Sequence, residues 1–236
     1  RIKALYKLLY GCHGPQGWWP LRSRRIEAGA DVEKAYGFNS SGYHPGIKYI
    51  PGQADIFEIA AGAVLTQNTS WKNAAAAVDN LISAGCLNPV SIRNLDTARL
   101  SALIRVSGYH NQKAKKLKAL AELFLENTSG EISREKLLSV WGVGHETADS
   151  IMLYGLDKSF FVIDTYSRRI LSRFLSIDAV SVMDYEKLRL AVEQAFPAER
   201  ETWREYHALL VMHGKKHCRK TPDCAACPIK SDCMSG

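Results

Sequence analysis

No stretch of this 236-residue chain is apolar for the roughly 18 residues that a bilayer-spanning helix needs. Membrane partners are therefore not expected. The first residues lack a secretory signal core, because Arg1, Lys3 and Lys7 interrupt the apolar positions. An initiating Met is also missing, which reads as trimming. No internal repeat is visible, and few stretches alternate with the two-residue period of a strand. Cysteine is scarce outside the tail. Cys12 and Cys86 stand alone and read as ordinary small packed residues, whereas four of the six cysteines fall in the last nineteen residues. Without a secretion signal, that crowding favours a metal site over disulfides. Hydrophobic residues make up 46% of the chain, enough for a sizeable core and outside the disordered range. The length allows one large domain or two small ones. A formal net charge of +7 suits a polyanion without requiring one.

Helical periodicity dominates, so the expected fold class is all-α. Helices are predicted at Ile2–Leu9, Asp55–Leu65, Trp71–Ala84, Pro89–Leu95, Thr97–Val106 (closed by Gly108), Gln112–Glu126, Thr147–Leu156, Thr165–Phe174, Asp184–Ala195 and Glu201–His213. Gly214 reads as the stop of the last one. Ser133 reads as an N-cap without a capping box, since Lys136 stands where Glu is needed. Gly11–Pro20 and Asp31–Pro51 read as loop and irregular connector, rich in Gly and Pro. Phe160–Ile163 is the best strand candidate.

Two groups of residues carry chemistry. In Trp141-Gly142-Val143-Gly144 the glycines permit a tight turn and a close approach of phosphate to the backbone. A helix beginning near His145 would aim free N–H groups at that phosphate. Val143 anchors the turn, and Ala148 allows the flanking helices to pack closely. A plain helix corner gives the same short pattern. Downstream, Asp164 at an apparent helix start reads as an N-cap on local grounds alone. The second group is Cys218-x5-Cys224-x2-Cys227-x5-Cys233. Four cysteines so close together indicate a metal site, with zinc and [4Fe–4S] equally open from spacing.

The run LLSVWGVGHETAD, followed by Phe161-Val162-Ile163-Asp164-Thr165-Tyr166, resembles the helix–hairpin–helix DNA glycosylases related to endonuclease III. The resemblance implies a two-lobed helix–hairpin–helix fold. Residues 53–163 would form a helical bundle containing the hairpin, and 1–52 would return to pack with 164–236 as a cluster lobe. DNA would enter the cleft between lobes, with Asp164 at its mouth as the catalytic carboxylate. That carboxylate would stabilise positive charge developing at C1′ and orient water. Gly142, Val143, Gly144 and Thr147 would contact DNA. The superfamily's bifunctional members carry Lys immediately before the hairpin's Thr, where this chain has Glu146. A carboxylate cannot form the Schiff base, so a glycosylase without β-lyase activity is expected.

A narrower likeness rests on Trp18-Trp19-Pro20, Leu65-Thr66-Gln67-Asn68-Thr69 and Gly108-Tyr109-His110-Asn111-Gln112-Lys113-Ala114. These segments are similar to the monofunctional 3-methyladenine DNA glycosylases of the superfamily. The resemblance implies a pocket for alkylated purines at Trp18, Trp19, Pro20, Glu146 and Lys215, in which aromatic faces hold a cationic base, and Phe38 or Tyr43 is a further aromatic candidate. Gln67 would fill the space left by the flipped base, and Asn68 would contact the estranged strand or cap the following helix. Lys113, with its basic neighbours, would reach phosphate or simply form a solvated face. The four-Cys loop resembles the family's [4Fe–4S] loop, with a first gap one residue shorter. The expected partner is double-stranded DNA with damaged bases. A monomer of cytoplasmic, prokaryotic, nucleoid-associated character is implied. The rival readings are a mismatch, deaminated- or oxidised-base glycosylase, and a non-catalytic DNA-binding protein.

Overall fold

The computed structural model describes residues 1–25, 37–127, 131–197 and 199–235. The 31–36 portion of the irregular connector lies outside them. Among the described residues there are helices and turns but no strand. No helix is long and apolar enough to cross a membrane. The chain divides into two compact units. One comprises Arg1–Trp18, His44–Lys48 and Ser159–Gly236, and the other Trp19–Tyr43 and Tyr49–Lys158.

The second unit is built around α2 (Gln53–Thr66), which is apolar almost all round and buried from Phe57 to Leu65. Its Ala60-Ala61-Gly62-Ala63 stretch lets neighbours approach closely. A Cβ at Gly62 would lie 3.3 Å from the Trp19 ring. Around α2 pack α3 (Trp71–Ser83), α6 (His110–Glu126) and α8 (His145–Ser150), the last running into a π turn at Ile151–Gly155. The short helices α4 (Pro89–Asn94) and α5 (Thr97–Leu103) brace α6 from outside, and α7 (Arg134–Ser139) precedes the hairpin. Side-chain caps start many helices: Ser70, Asn88, Asp96 and Ser133 each accept a backbone N–H of the first turn. The segment before α2 is pinned by ion pairs, Arg24 to buried Asp55 and Arg22 to Asp79.

The first unit packs α1 (Ile2–His13), α9 (Thr165–Leu175), α10 (Ala179–Val182), α11 (Tyr185–Ala195) and α12 (Arg200–Lys216). Its core is aromatic: Tyr206 lies within 5.9 Å, centroid to centroid, of Tyr6, Phe161 and Phe196. Three expectations are corrected. Phe160–Ile163 is extended but forms no strand. Its buried residues send backbone N–H groups to side chains of α11, Phe161 to Glu193 (2.8 Å) and Ile163 to Tyr185 (3.3 Å). Helix α1 continues through Gly11 to His13 and stops at Gly14 (φ 66°). Gly214 does not stop α12, which runs on to Lys216. It is glycine because a Cβ there would meet Tyr166 Cδ1 of α9 at 2.4 Å.

Gly214→Ala should therefore destabilise the protein despite alanine's higher helix propensity. The overpacking costs about 1–3 kcal/mol, against a propensity gain of ~1 kcal/mol. A chemical denaturation midpoint at or above that of the parent would contradict this packing role.

Candidate functional site

Asp164 sits at the start of α9 and caps it. Its Oδ1 accepts from the Ser167 backbone N–H (2.7 Å) and hydroxyl (2.8 Å). Those bonds leave Oδ2 facing α12, where His207 Nε2 stands 3.8 Å away. Burial by itself pushes the Asp164 carboxyl up. The His207 ring and the Ser167 donors outweigh it and hold the group below the ordinary aspartate range. The site thus keeps a carboxylate, 12% exposed, ionised in a largely desolvated place.

Trp18 meets the same helix. Its ring lies edge-on to His207 with centroids 6.0 Å apart, and Lys215 Nζ stands 5.7 Å from its centroid. Desolvation lowers the Lys215 pKa, and the Asp164 charge opposes that shift. Trp18 is held from behind. Glu205 of α12 accepts from the backbone N–H of Gln16 (2.6 Å) and Gly17 (3.4 Å). Gly17 has φ +66°, and a Cβ there would come within 2.2 Å of the His44 backbone. Trp18, Asp164 and Lys215, singled out in the sequence, come together in this unit. His207 and Glu205 were missed. Their spacing along α12 carries no motif, and only the fold shows what they face.

In the other unit, Gly142 has φ 83°, and its Cβ position is filled by the Lys116 side chain. Gly144 is extended (φ −95°) and begins α8, with no protein atom within 4 Å of where a Cβ would stand. Its exposed backbone is open to a ligand. Val143 is buried, 6% exposed, and anchors the turn. Arg134 of α7 pairs with fully buried Asp149 of α8, tying the flanking helices together. Gln67 braces the hairpin: Nε2 donates to the Gly142 carbonyl (3.0 Å) and Thr147 Oγ1 (2.9 Å), while Oε1 accepts from Lys116 (2.6 Å). Next to it, exposed Asn68 adopts φ 52°.

Other singled-out residues lie elsewhere. Trp19 and Pro20 are buried, Trp19 against Trp71 and Tyr154. Phe38 is 1% exposed and packs edge-on against Tyr49. Glu146 is exposed in the first turn of α8. Lys113 does not present its ammonium to solvent as a phosphate contact requires. It is 1% exposed and donates to the carbonyls of Leu65 (2.8 Å) and Ser107 (2.7 Å), with burial drawing its pKa down to about 8. A further residue emerges from the fold, Tyr109. It is left-handed (φ 47°), 70% exposed and opens α6.

A turn with open backbone and a buried carboxylate match a family profile spanning both. The HhH-GPD superfamily of base excision DNA repair proteins matches residues 61–198. The chain belongs to that superfamily. The HhH-GPD fold accounts for an all-helical architecture and assigns the chain as a base excision repair DNA glycosylase. A Methanocaldococcus jannaschii protein named as a DNA repair glycosylase is 38% identical, over 99% of this chain and 96% of its own length. Endonuclease III of Sulfolobus acidocaldarius is 32% identical, over 78% of this chain and 85% of the other. Among solved structures, H. pylori 3-methyladenine DNA glycosylase bound to 1,N6-ethenoadenine aligns with a TM-score of 0.59 at 28% identity, covering 68% of this chain and 85% of that one.

The four C-terminal cysteines lie beyond the matched segment. Cys218, Cys224, Cys227 and Cys233 form no disulfide and together line a cavity of about 130 Å³ beside Ile170, Phe174 and Ile229. Among the described residues, no three His, Cys, Asp or Glu side chains converge on a single ion. Arg173 Nη1 donates to Cys218 Sγ (3.5 Å). Burial raises the Cys227 thiol pKa, and the other three cysteines add to the shift.

The depressed Asp164 pKa has a thermodynamic consequence. Its stabilisation is present above the unfolded-state value of about 3.9 and is lost as pH falls through the folded value. Asp164→Asn should flatten the acid limb of a stability–pH curve below that point. An unchanged limb would show that the carboxylate is not held as described.

Proposed function

We propose that this chain is a monofunctional DNA glycosylase that removes alkylated purines, such as 3-methyladenine and 7-methylguanine, from double-stranded DNA. The observation that carries the reading is the ionised, desolvated Asp164 beside a Trp18 ring whose face already takes a cation, the Lys215 ammonium. A purine alkylated at N3 or N7 carries positive charge and makes the same demand of an aromatic face. Its charge also weakens the bond to C1′, so little acid catalysis of departure is needed. The base leaves with the electron pair of the C1′–N bond and becomes neutral. Asp164 stabilises the charge left on the sugar, worth most where water is excluded. Water then adds its oxygen to C1′ and gives up a proton, leaving an abasic site.

The hairpin is read as the backbone clamp. Gly142 and Gly144 offer phosphate a close approach, Val143 and Gln67 fix the turn, and Thr147 is held by Gln67. Exposed Asn68 and Tyr109 of the same unit are side chains suited to bases displaced from the stack, Tyr109 by stacking. Glu146 has no amine with which to form a Schiff base, which supports hydrolysis without strand cleavage.

Mass spectrometry of bases released from methylated duplex DNA tests the reading. Methylpurines should appear with the parent protein and fall by at least ~100-fold with Asp164→Asn, while binding persists. Borohydride should trap no covalent complex. Release of only mismatched, deaminated or oxidised bases would replace the substrate assignment, and abundant trapping would overturn the monofunctional one.

The same proposal gives Cys218, Cys224, Cys227 and Cys233 a [4Fe–4S] cluster. The fit rests on four thiols that line one cavity. When bound, the cluster supplies a rigid cross-link of the C-terminal loop. Protein purified without oxygen should contain iron and acid-labile sulfide in equal amounts, and Cys224→Ala should lose both. Stoichiometric zinc without iron in native material would reverse the assignment.

A further inference from the structure

Several arginines of this protein are matched closely to acids. Arg22, Arg24, Arg25, Arg134 and Arg189 each face a carboxylate within 3.1 Å. Arg168, Arg169 and Arg173 face none, and among the described residues no ion pair neutralises them. All three lie on α9 and, with Thr165, Ser172 and Ser181, line a concavity of about 310 Å³. No carboxylate contributes to the lining.

These guanidinium groups are positioned by main-chain carbonyls. Arg168 Nη1 donates to Val180 and Met183. Arg169 Nε donates to Cys218 (2.8 Å) and its Nη1 to Thr165 (3.4 Å). Arg173 donates to Arg219 (2.7 Å) through Nη1 and to Lys220 (2.9 Å) through Nη2. Carbonyl bonds orient a guanidinium but leave its charge intact. Arg168 retains Nε and Nη2 without a hydrogen bond to any described residue, and Arg173 retains Nε. Long side chains immobilised beforehand lose little entropy on meeting a ligand. Ser172 and Ser181 give their hydroxyl protons to the Ile177 and Asp178 carbonyls, so the donors left are the planar guanidinium groups, which with their uncompensated positive charge match a phosphate group.

We propose that the Arg168–Arg169–Arg173 concavity is a phosphate-ester site, and that the ester is a backbone phosphate of the lesion-bearing strand. The choice of DNA as the source rests on the glycosylase reading. Thr165 follows Asp164 directly, and Arg168 lies four residues beyond Asp164, about 6 Å along the helix. A strand whose sugar faces Asp164 carries its neighbouring phosphates past these side chains. The site supplies affinity and register, and it carries no base preference.

Ser181 offers a test that leaves the arginines in place. It is an exposed residue lining the concavity. Ser181→Asp puts a carboxylate there, Ser181→Asn is the uncharged control, and Val182→Asp adds the same charge one residue away at a side chain 84% exposed. Affinity of the intact, cluster-loaded protein for a duplex containing a stable abasic-site analogue is measured across a salt series. The slope of log K against log salt should lose about 0.9 in magnitude with Ser181→Asp for one forfeited phosphate. The Ser181→Asn and Val182→Asp slopes should match the parent. An equal loss with Val182→Asp would reduce the effect to general charge and overturn the site.

A second arm separates the two sources of the ester. Inorganic phosphate and a deoxynucleoside monophosphate are titrated calorimetrically into parent and Ser181→Asp proteins. Binding abolished by Ser181→Asp with unchanged DNA slopes would keep the phosphate site but overturn DNA as its source. Unchanged slopes with no binding of either small anion would overturn the proposal entirely. Methylpurine release is scored separately. A normal slope difference in a protein that releases no base would sink the glycosylase reading and leave the phosphate site standing.

Discussion

One contact sets the arrangement of the first unit, the bare backbone of Gly214 against Tyr166. It lets α12 lie directly on α9. The candidate site in that unit hangs on the pair. Helix α9 carries Asp164 at its start and three arginines along its length. Helix α12 carries Glu205, His207 and Lys215, then leads into the cysteine loop. Crowding at the contact would shift the two arrays against each other. A displacement of about 1 Å is enough to impair a site built on placed charge.

The carboxylate shows how economically the fold uses a side chain. One oxygen of Asp164 closes the helix through Ser167, and the other faces the histidine. Capping fixes the rotamer, so orientation comes with the secondary structure. The N-cap reading of Asp164 and its catalytic reading are compatible descriptions of different oxygens. Gln67 works similarly in the other unit, where one amide ties together two parts of the hairpin and a lysine.

Much of this was legible in the sequence, and the misses have physical causes. Helix periodicity located nearly every long element, because one buried stripe per helix leaves a mark that needs no tertiary knowledge. The hairpin glycines and Asp164 declared themselves through local backbone demands. Lys113 did not, since a charged residue in a basic run reads as solvated until two carbonyls are found around it. Gly214 looked like a helix stop because its real reason, the Tyr166 ring, is forty-eight positions away. Phe160–Ile163 looked like a strand because burial selects the same apolar residues, whatever accepts the backbone hydrogens. His207 carries no local signature at all.

Tyr109 illustrates what a folded chain retains against its own interest. A left-handed backbone costs a residue with a side chain roughly 1–2 kcal/mol, and glycine would relieve most of it. The ring at 109 gives little of that back, being 70% exposed. Stability alone therefore disfavours the residue found there. A search for stabilising substitutions would settle on this position early.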